Sequence, residues 1–339
     1  MQVHELRNRA GTAIRFIPLG GIITAIEVAD RTGRHDNIVL AFADLGQYAS
    51  QTIYLGATIT GRYANRIANA RFVLDGNEYR LAPTDGTSCV HGGRIGFDKR
   101  VWSVEPSADD PGRAALLRYT SPDGEEGFPG KLDIAVRYTL SDNNSFRIDY
   151  SATTDAPTIV NLTNHAYFNL RGLPSGDILG HVLEIAADRY TPADDILIPT
   201  GEIAIVAGTP FDFRQPRAIG DRIRTPHPQI IAGRGYDLNY VLDGAFAALA
   251  FAARLYDPAS GRIVELHTTE PGLQLYTGNL LHGTLIGAGG RLFRQSDGLC
   301  LEPHHYPDSP NRPNFPSPIL RPGEMYRSST VYRFYTDAD

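Results

Sequence analysis

Lys131-Leu132-Asp133-Ile134-Ala135-Val136-Arg137-Tyr138-Thr139-Leu140 runs into Ser141-Asp142-Asn143-Asn144 and then Ser145-Phe146-Arg147-Ile148-Asp149-Tyr150. Leu132, Ile134, Val136, Tyr138 and Leu140 recur at every second position, and Phe146, Ile148 and Tyr150 resume the alternation after the turn-forming tetrapeptide. A period of two places these side chains on one face of a strand, so the stretch predicts a β-hairpin with one buried face. A second hairpin is written at 71–74 and 77–81 around Asp75-Gly76, a dipeptide that suits a two-residue turn with positive φ. A third joins 248–256 to 262–268 across Asp257-Pro258-Ala259-Ser260-Gly261. Further strands are expected at 22–29, 37–42, 113–120, 158–162, 181–186, 273–277 and 325–335, and a short turn of helix at 44–50. No window of a dozen residues carries a sustained i, i+3, i+4, i+7 apolar pattern. The 34 glycines and 23 prolines are spread along the chain, as many turns require. The expectation is an all-β protein, a large antiparallel β-sandwich formed as one domain over residues 1–339.

Composition narrows the chemistry. The 339 residues carry 32 Lys+Arg against 38 Asp+Glu, a formal charge of −6, so no basic face for nucleic acid is indicated. Lys99 and Lys131 are the two lysines, and neither sits in a phosphate-binding loop. Cys89 and Cys300 make no disulfide framework and lack zinc spacing. Without a long apolar run or a basic-then-apolar start, neither a membrane partner nor a secretory leader is expected, and the expected location is cytoplasmic.

Five polar clusters interrupt the strand-like sequence. Gly61-Arg62-Tyr63-Ala64-Asn65-Arg66-Ile67 offers fixed donors to an oxygen-rich ligand, or an arginine loop tied to its own backbone. Cys89-Val90-His91-Gly92-Gly93 lets backbone approach a ligand beside an imidazole. In Asn161-Leu162-Thr163-Asn164-His165-Ala166-Tyr167-Phe168, His165 breaks the alternation with aromatics behind it, which suits a general acid and equally a satisfied core histidine. Asp237, within Gly235-Tyr236-Asp237-Leu238-Asn239-Tyr240, could grip neighbouring hydroxyls or cap a turn. In Leu299-Cys300-Leu301-Glu302-Pro303-His304-His305-Tyr306-Pro307-Asp308, Glu302 ends an apolar strand on the same face as Cys300. A carboxylate is costly to bury there without partners or a task. Adjacent residues of a strand point to opposite faces, so His304 and His305 do not suggest a shared metal. Tyr63, Tyr167, Phe168, Tyr236 and Tyr306 flank these clusters, and aromatic platforms beside polar clamps suit a sugar.

In this order, GRYANRI, VHGGRIGFDKRVW, NLTNHAYFNL, PTGEI, GTPFDFR, GYDLNYVL, PGLQLYTGN and LEPHHYPDSPNRPNFPSPILRPGEMY resemble the aldose 1-epimerase (galactose mutarotase) family. The resemblance runs from about Gly56 to the end. It implies a supersandwich of the galactose-mutarotase type that interconverts the α and β anomers of a free aldose without metal or cofactor. It also implies Glu302 as the base that takes the O1 proton and His165 as the acid that protonates the ring oxygen. Asn65, Arg66, His91, Asp237 and Gln274 fall on positions that bind sugar hydroxyls or the ring oxygen in the family. Opening a hemiacetal requires a proton removed from one oxygen and one given to another. Glu302 ionised and His165 protonated would be the working pair, with Arg66 and His91 stabilising charge on the ring oxygen. The family's glutamine shortly after the glutamate is replaced within Pro303-His304-His305, and a histidine common after the GYD motif is Leu238, so no preference for galactose is carried over. A hexose-6-phosphate 1-epimerase, a non-catalytic sugar-binding domain and a glycosidase remain alternatives, and the oligomer expected is a monomer or homodimer.

Overall fold

The structure, a computed structural model, describes residues 1–50, 55–107, 110, 112–173, 176–244 and 247–339. The opening hairpin forms as read: strand Leu132–Leu140 pairs with Ser145–Thr154 in the register Leu140↔Phe146, Tyr138↔Ile148, Val136↔Tyr150. All eight alternating apolar residues are at most 3% exposed, so the period-two stripe is the buried face. The two strands lie within an antiparallel nine-stranded sheet ordered Ser103–Pro106, Ala114–Ser121, Leu132–Leu140, Ser145–Thr154, Tyr326–Thr336, Arg262–Thr268, Ala250–Tyr256, Val182–Ile185, Arg217–Ala218. The other two hairpins also form, and Asp75 and Gly76 take φ of 50° and 82°, as the turn requires.

A six-stranded antiparallel sheet is ordered Tyr167–Phe168, Leu299–His304, Gly272–Tyr276, Asp237–Val241, Arg189–Thr191, Ala204–Ile205. One continuous core joins it to the larger sheet, with Phe168 against Tyr332 at a ring separation of 5.4 Å. A four-stranded sheet, His4–Arg7 to His35–Asn37, packs on the same core through Phe16 against Tyr138 at 5.3 Å. These are stacked antiparallel layers, the architecture the alternation called for.

Where sequence and structure differ, local polar chemistry is the reason. The stretch 37–42 leaves strand geometry after Asn37, whose side-chain oxygen accepts from the amides of Ile26 and Val39 in place of a ladder partner. Of 158–162, Thr158–Ile159 alone is a strand, because Asn161 turns its side chain to the carbonyls of Ala64 and His305. Helix Pro228–Gly233 escapes the periodicity because it is under two turns long. It starts on Pro228 and on His227, whose Nδ1 accepts from the Gln229 amide at 3.2 Å.

Candidate active site

The six-stranded sheet has two chemically distinct faces. Leu299, Leu301, Leu273, Leu275, Leu238 and Tyr240 stand opposite one another in register and enter the core. The alternate positions carry Cys300, Glu302 and His304 on one strand, Gln274 and Tyr276 on the next, and Asp237 and Asn239 on the third. Gln274 is the cross-strand partner of both Glu302 and Asn239, so these polar groups share one face by the pleat alone.

Loops from outside this sheet close over that face. His165 follows the short strand Thr163–Asn164, and its amide donates to the Thr58 carbonyl at 3.1 Å. Asn65 and His91 flank a two-residue ladder in which Arg66 pairs with Val90. Both adopt positive φ, 64° and 52°, and two hydrogen bonds tie them together. The His91 amide donates to the Asn65 carbonyl at 3.0 Å, and the Asn65 amide donates to His91 Nδ1 at 3.2 Å.

Asn65, Arg66, His91, His165, Asp237, Gln274 and Glu302 all line one cavity of about 630 Å³. His165 Nε2 stands 3.7 Å from Glu302 Oε2, and the His91 and His165 rings meet edge-on at 5.2 Å. Gln274 Nε2 donates to Asp237 Oδ1 at 2.6 Å, and Arg66 lies 3.9 Å from the other Asp237 oxygen. Glu302 Oε2 and Gln274 Oε1 are buried acceptors with no donor from the described residues. Hydroxyl-rich ligands supply the donors such atoms need.

Burial drives the acid and base apart from the ionised pair expected from sequence. Desolvation lifts the Glu302 carboxyl well above its usual range; Asp237 adds to this and Arg66 opposes it. Desolvation also takes His165 down to about 4, its own backbone carbonyl opposing and His304 assisting. His91 lies well below the ordinary imidazole value, from burial and then the neighbouring His165, Arg66 and His304. Burial therefore disfavours the charged form of both groups, the opposite of the ionised pair expected from sequence.

The sequence profile of the aldose 1-epimerase family matches residues 2–333. The chain belongs to the aldose 1-epimerase family. It is 44% identical to human galactose mutarotase over 341 residues, covering 97% of this chain and 96% of that protein. It is 40% identical to the aldose 1-epimerase of Escherichia coli K12, covering 98% and 94%. Among solved structures it is similar to an aldose epimerase homologue from C. elegans, at a TM-score of 0.87 and 28% identity over 99% of both chains. It is also similar to a galactose 1-epimerase from Lactobacillus acidophilus, at 0.85 and 30% over 98% of this chain and 93% of that one.

Other features of this aldose 1-epimerase family member depart from the sequence reading. Of the five aromatics expected as sugar platforms, Tyr167 alone lines the cavity; Phe168 takes the core face of its strand, and Tyr63, Tyr236 and Tyr306 pack in apolar clusters. Tyr276, Asp85, Arg94, Asp98 and Lys99 line the cavity without having been singled out. Tyr276, in PGLQLYTGN, follows Gln274 by two on the same strand and could have been found by that count; Arg94, Asp98 and Lys99, in VHGGRIGFDKRVW, could not, because side-chain direction in loops and short turns has no sequence period. Arg62 follows the structural reading of its loop: buried, it donates to the carbonyls of Pro129 and Gly130 at 2.8 Å. His304 bonds the His305 carbonyl, His305 Nδ1 meets Glu270 at 2.8 Å, and Asp308 accepts from the Ala68 amide, so they form no common site. Cys89 and Cys300 are both free thiols, buried in separate apolar clusters.

Ligand-type atoms of His91, His165 and Glu302 do lie within 4.8 Å of one another, a spacing open to a metal ion. His91 argues against one. Its Nδ1 already accepts the Asn65 amide, which fixes the ring proton on Nε2 and leaves neither nitrogen bare.

Proposed function

We infer that this isomerase is an aldose 1-epimerase that interconverts the α and β anomers of a free aldose by acid–base ring opening and closure. The observation that carries the reading is the buried His165–Glu302 pair, 3.7 Å apart, at the floor of a cavity lined by hydroxyl-binding groups. Once the pair's single proton has passed from Glu302 to His165 Nε2, the carboxylate takes the proton from O1 while Nε2 gives one to the ring oxygen; the C1–O bond to the ring oxygen opens and C1 becomes the free aldehyde. Rotation about the bond to C1 presents its other face, and the same transfers in reverse close the ring. His91, whose Nε2 bears the proton, and Arg66 are the donors for charge growing on the ring oxygen. Asp237, held by Gln274, grips vicinal hydroxyls, with Asn65 beside them.

A phosphorylated aldose is disfavoured by charge. Arg66, Arg94 and Lys99 line the cavity against Asp85, Asp98 and Asp237, and Lys99 is already paired with Asp98 at 2.7 Å. The continuous core supports reading residues 1–339 as one domain. A cytoplasmic monomer or homodimer acting on a small sugar remains our reading, and no helix among the described residues is long and apolar enough to cross a membrane.

The deciding experiment follows freshly dissolved α-glucose, α-galactose, α-xylose and L-arabinose by polarimetry or anomeric-proton NMR. Acceleration that disappears in His165→Asn and Glu302→Gln establishes the activity. No acceleration with any free aldose, but acceleration with a hexose 6-phosphate, would reassign the substrate.

A further inference from the structure

The strand Leu299–His304 turns Cys300 and Glu302 to the same side at a two-residue interval, and the acid–base scheme uses only the second. The Cys300 sulfur lies 3.5 Å from His165 Nδ1, while the other ring nitrogen, Nε2, faces Glu302 at 3.7 Å. Tyr167, the register partner of Cys300, lays its ring against His165 at 5.0 Å. The imidazole is thus held between a sulfur on one nitrogen and a carboxyl on the other.

We propose that Cys300 is a positioning residue for anomerisation: its sulfur accepts the Nδ1 proton of His165 and confines proton exchange to Nε2. This rests on His165 being the acid of the proposed reaction. In ring opening the O1 proton passes to Glu302, the Nε2 proton passes to the ring oxygen, and the Cys300 S–H bond is untouched. The ring must then recover its proton at Nε2 during closure, which requires the neutral imidazole to keep its hydrogen on Nδ1. A neutral ring that moved its proton to Nε2 could not act as the returning base.

Sulfur suits this task better than a carboxylate would. A carboxylate at Nδ1 stabilises the imidazolium, raises its pKa by about 1–3 units and weakens it as an acid toward an ether-type oxygen. A thiol is a weak acceptor. Here it stays uncharged, because burial, and then Glu302 and Asp237, hold it well above the usual thiol range. The groups around the ring are Glu302, His91 at 5.2 Å, Tyr167, Tyr276 at 6.4 Å and its own carbonyl, with His304 acting from farther along the strand.

The test combines 15N-edited NMR of the His165 ring with anomer-exchange kinetics for the full-length wild type, Cys300→Ala and Cys300→Ser. The expected ring is an Nδ1–H tautomer in the wild type and the serine variant, with a larger Nε2–H fraction in the alanine variant, where the ring's own backbone carbonyl remains as a partner. Loss of one weak hydrogen bond, about 0.5 kcal/mol, lowers kcat about twofold in Cys300→Ala with KM nearly unchanged. Serine, which keeps an acceptor, restores most of that loss. An Nε2–H tautomer in the wild type overturns the inference, and that single spectrum decides it even if the alanine variant does not fold. An alanine variant identical to wild type in tautomer, kcat and KM also overturns it, as does a serine variant as impaired as alanine. Full anomer exchange in His165→Asn would instead sink the catalytic reading, while the tautomer spectra still judge Cys300.

Discussion

At the scale of single residues, the chemistry turns on two groups whose charged forms burial disfavours. General acid–base groups typically contribute about 10²–10⁴-fold, so Glu302→Gln and His165→Asn are each expected to lower kcat within that range. KM should shift little, because the lost interactions act mainly in the transition state. Saturation kinetics separates the two, and unchanged turnover in Glu302→Gln would remove it as the base. The same substitution is expected to stabilise the fold. A carboxyl whose folded pKa is raised loses stability as pH rises beyond its ordinary value, and glutamine escapes that penalty. The check is a higher melting temperature for Glu302→Gln than for wild type at pH 8.

The pH profile belongs to the pair. Exchange requires one proton shared between His165 and Glu302, so the rate should fall on the acid side as His165 protonates near its value of about 4. It should fall again on the alkaline side as Glu302 loses its proton at a pH above the usual carboxylate range. An enzymatic rate, corrected for buffer catalysis, that keeps climbing below pH 4 would contradict this. Because the Asn65 amide occupies His91 Nδ1, chelators are expected to leave activity intact; loss of activity restored by zinc would reverse that reading.

At the scale of elements, the pleat of one sheet sorts catalysis from core. Leu299, Leu301, Cys300 and Glu302 alternate in sequence, and this was legible: the shared face of Cys300 and Glu302 follows from counting by two. The loop that carries His91 depends on a contact no such count contains. Gly92 sits at φ 90°, and a Cβ there would stand 1.9 Å from the Gly61 carbonyl oxygen. Gly92→Ala must push apart the two loops that bear Asn65, Arg66 and His91. The expected result is a lower melting temperature together with a several-fold higher KM, measured by thermal unfolding and by saturation with the best aldose. A KM equal to wild type would show that the loops do not position the sugar.

Across the whole molecule, buried histidines tie stability to pH. His165, His181 and His304 are each held at about 4, and His91 well below 6.5, chiefly by burial. The unfolded chain takes protons on these rings from about pH 6.5 downward and the folded chain does not. Their contribution is therefore fully present above pH 6.5 and is lost as pH falls toward 4. Urea unfolding midpoints should drop steadily between pH 7 and pH 4, and midpoints constant across that interval would show these rings to be solvated.

The β character and the three hairpins were legible in the chain alone, because side-chain alternation and turn dipeptides are local properties; the pairing registers, with the irregularity between Phe251 and Ala253, came from the fold. Through ordered motifs the sequence also named seven site residues that the fold brings to one cavity. The tertiary structure alone decided which aromatics face that cavity, that Arg62 is structural while Arg66 lines the site, and that Cys300 touches His165. It also decided that burial disfavours the charged form of both acid and base. These depend on which distant segments meet and on how much water they exclude, and desolvation is a property of the assembled volume rather than of any stretch of sequence.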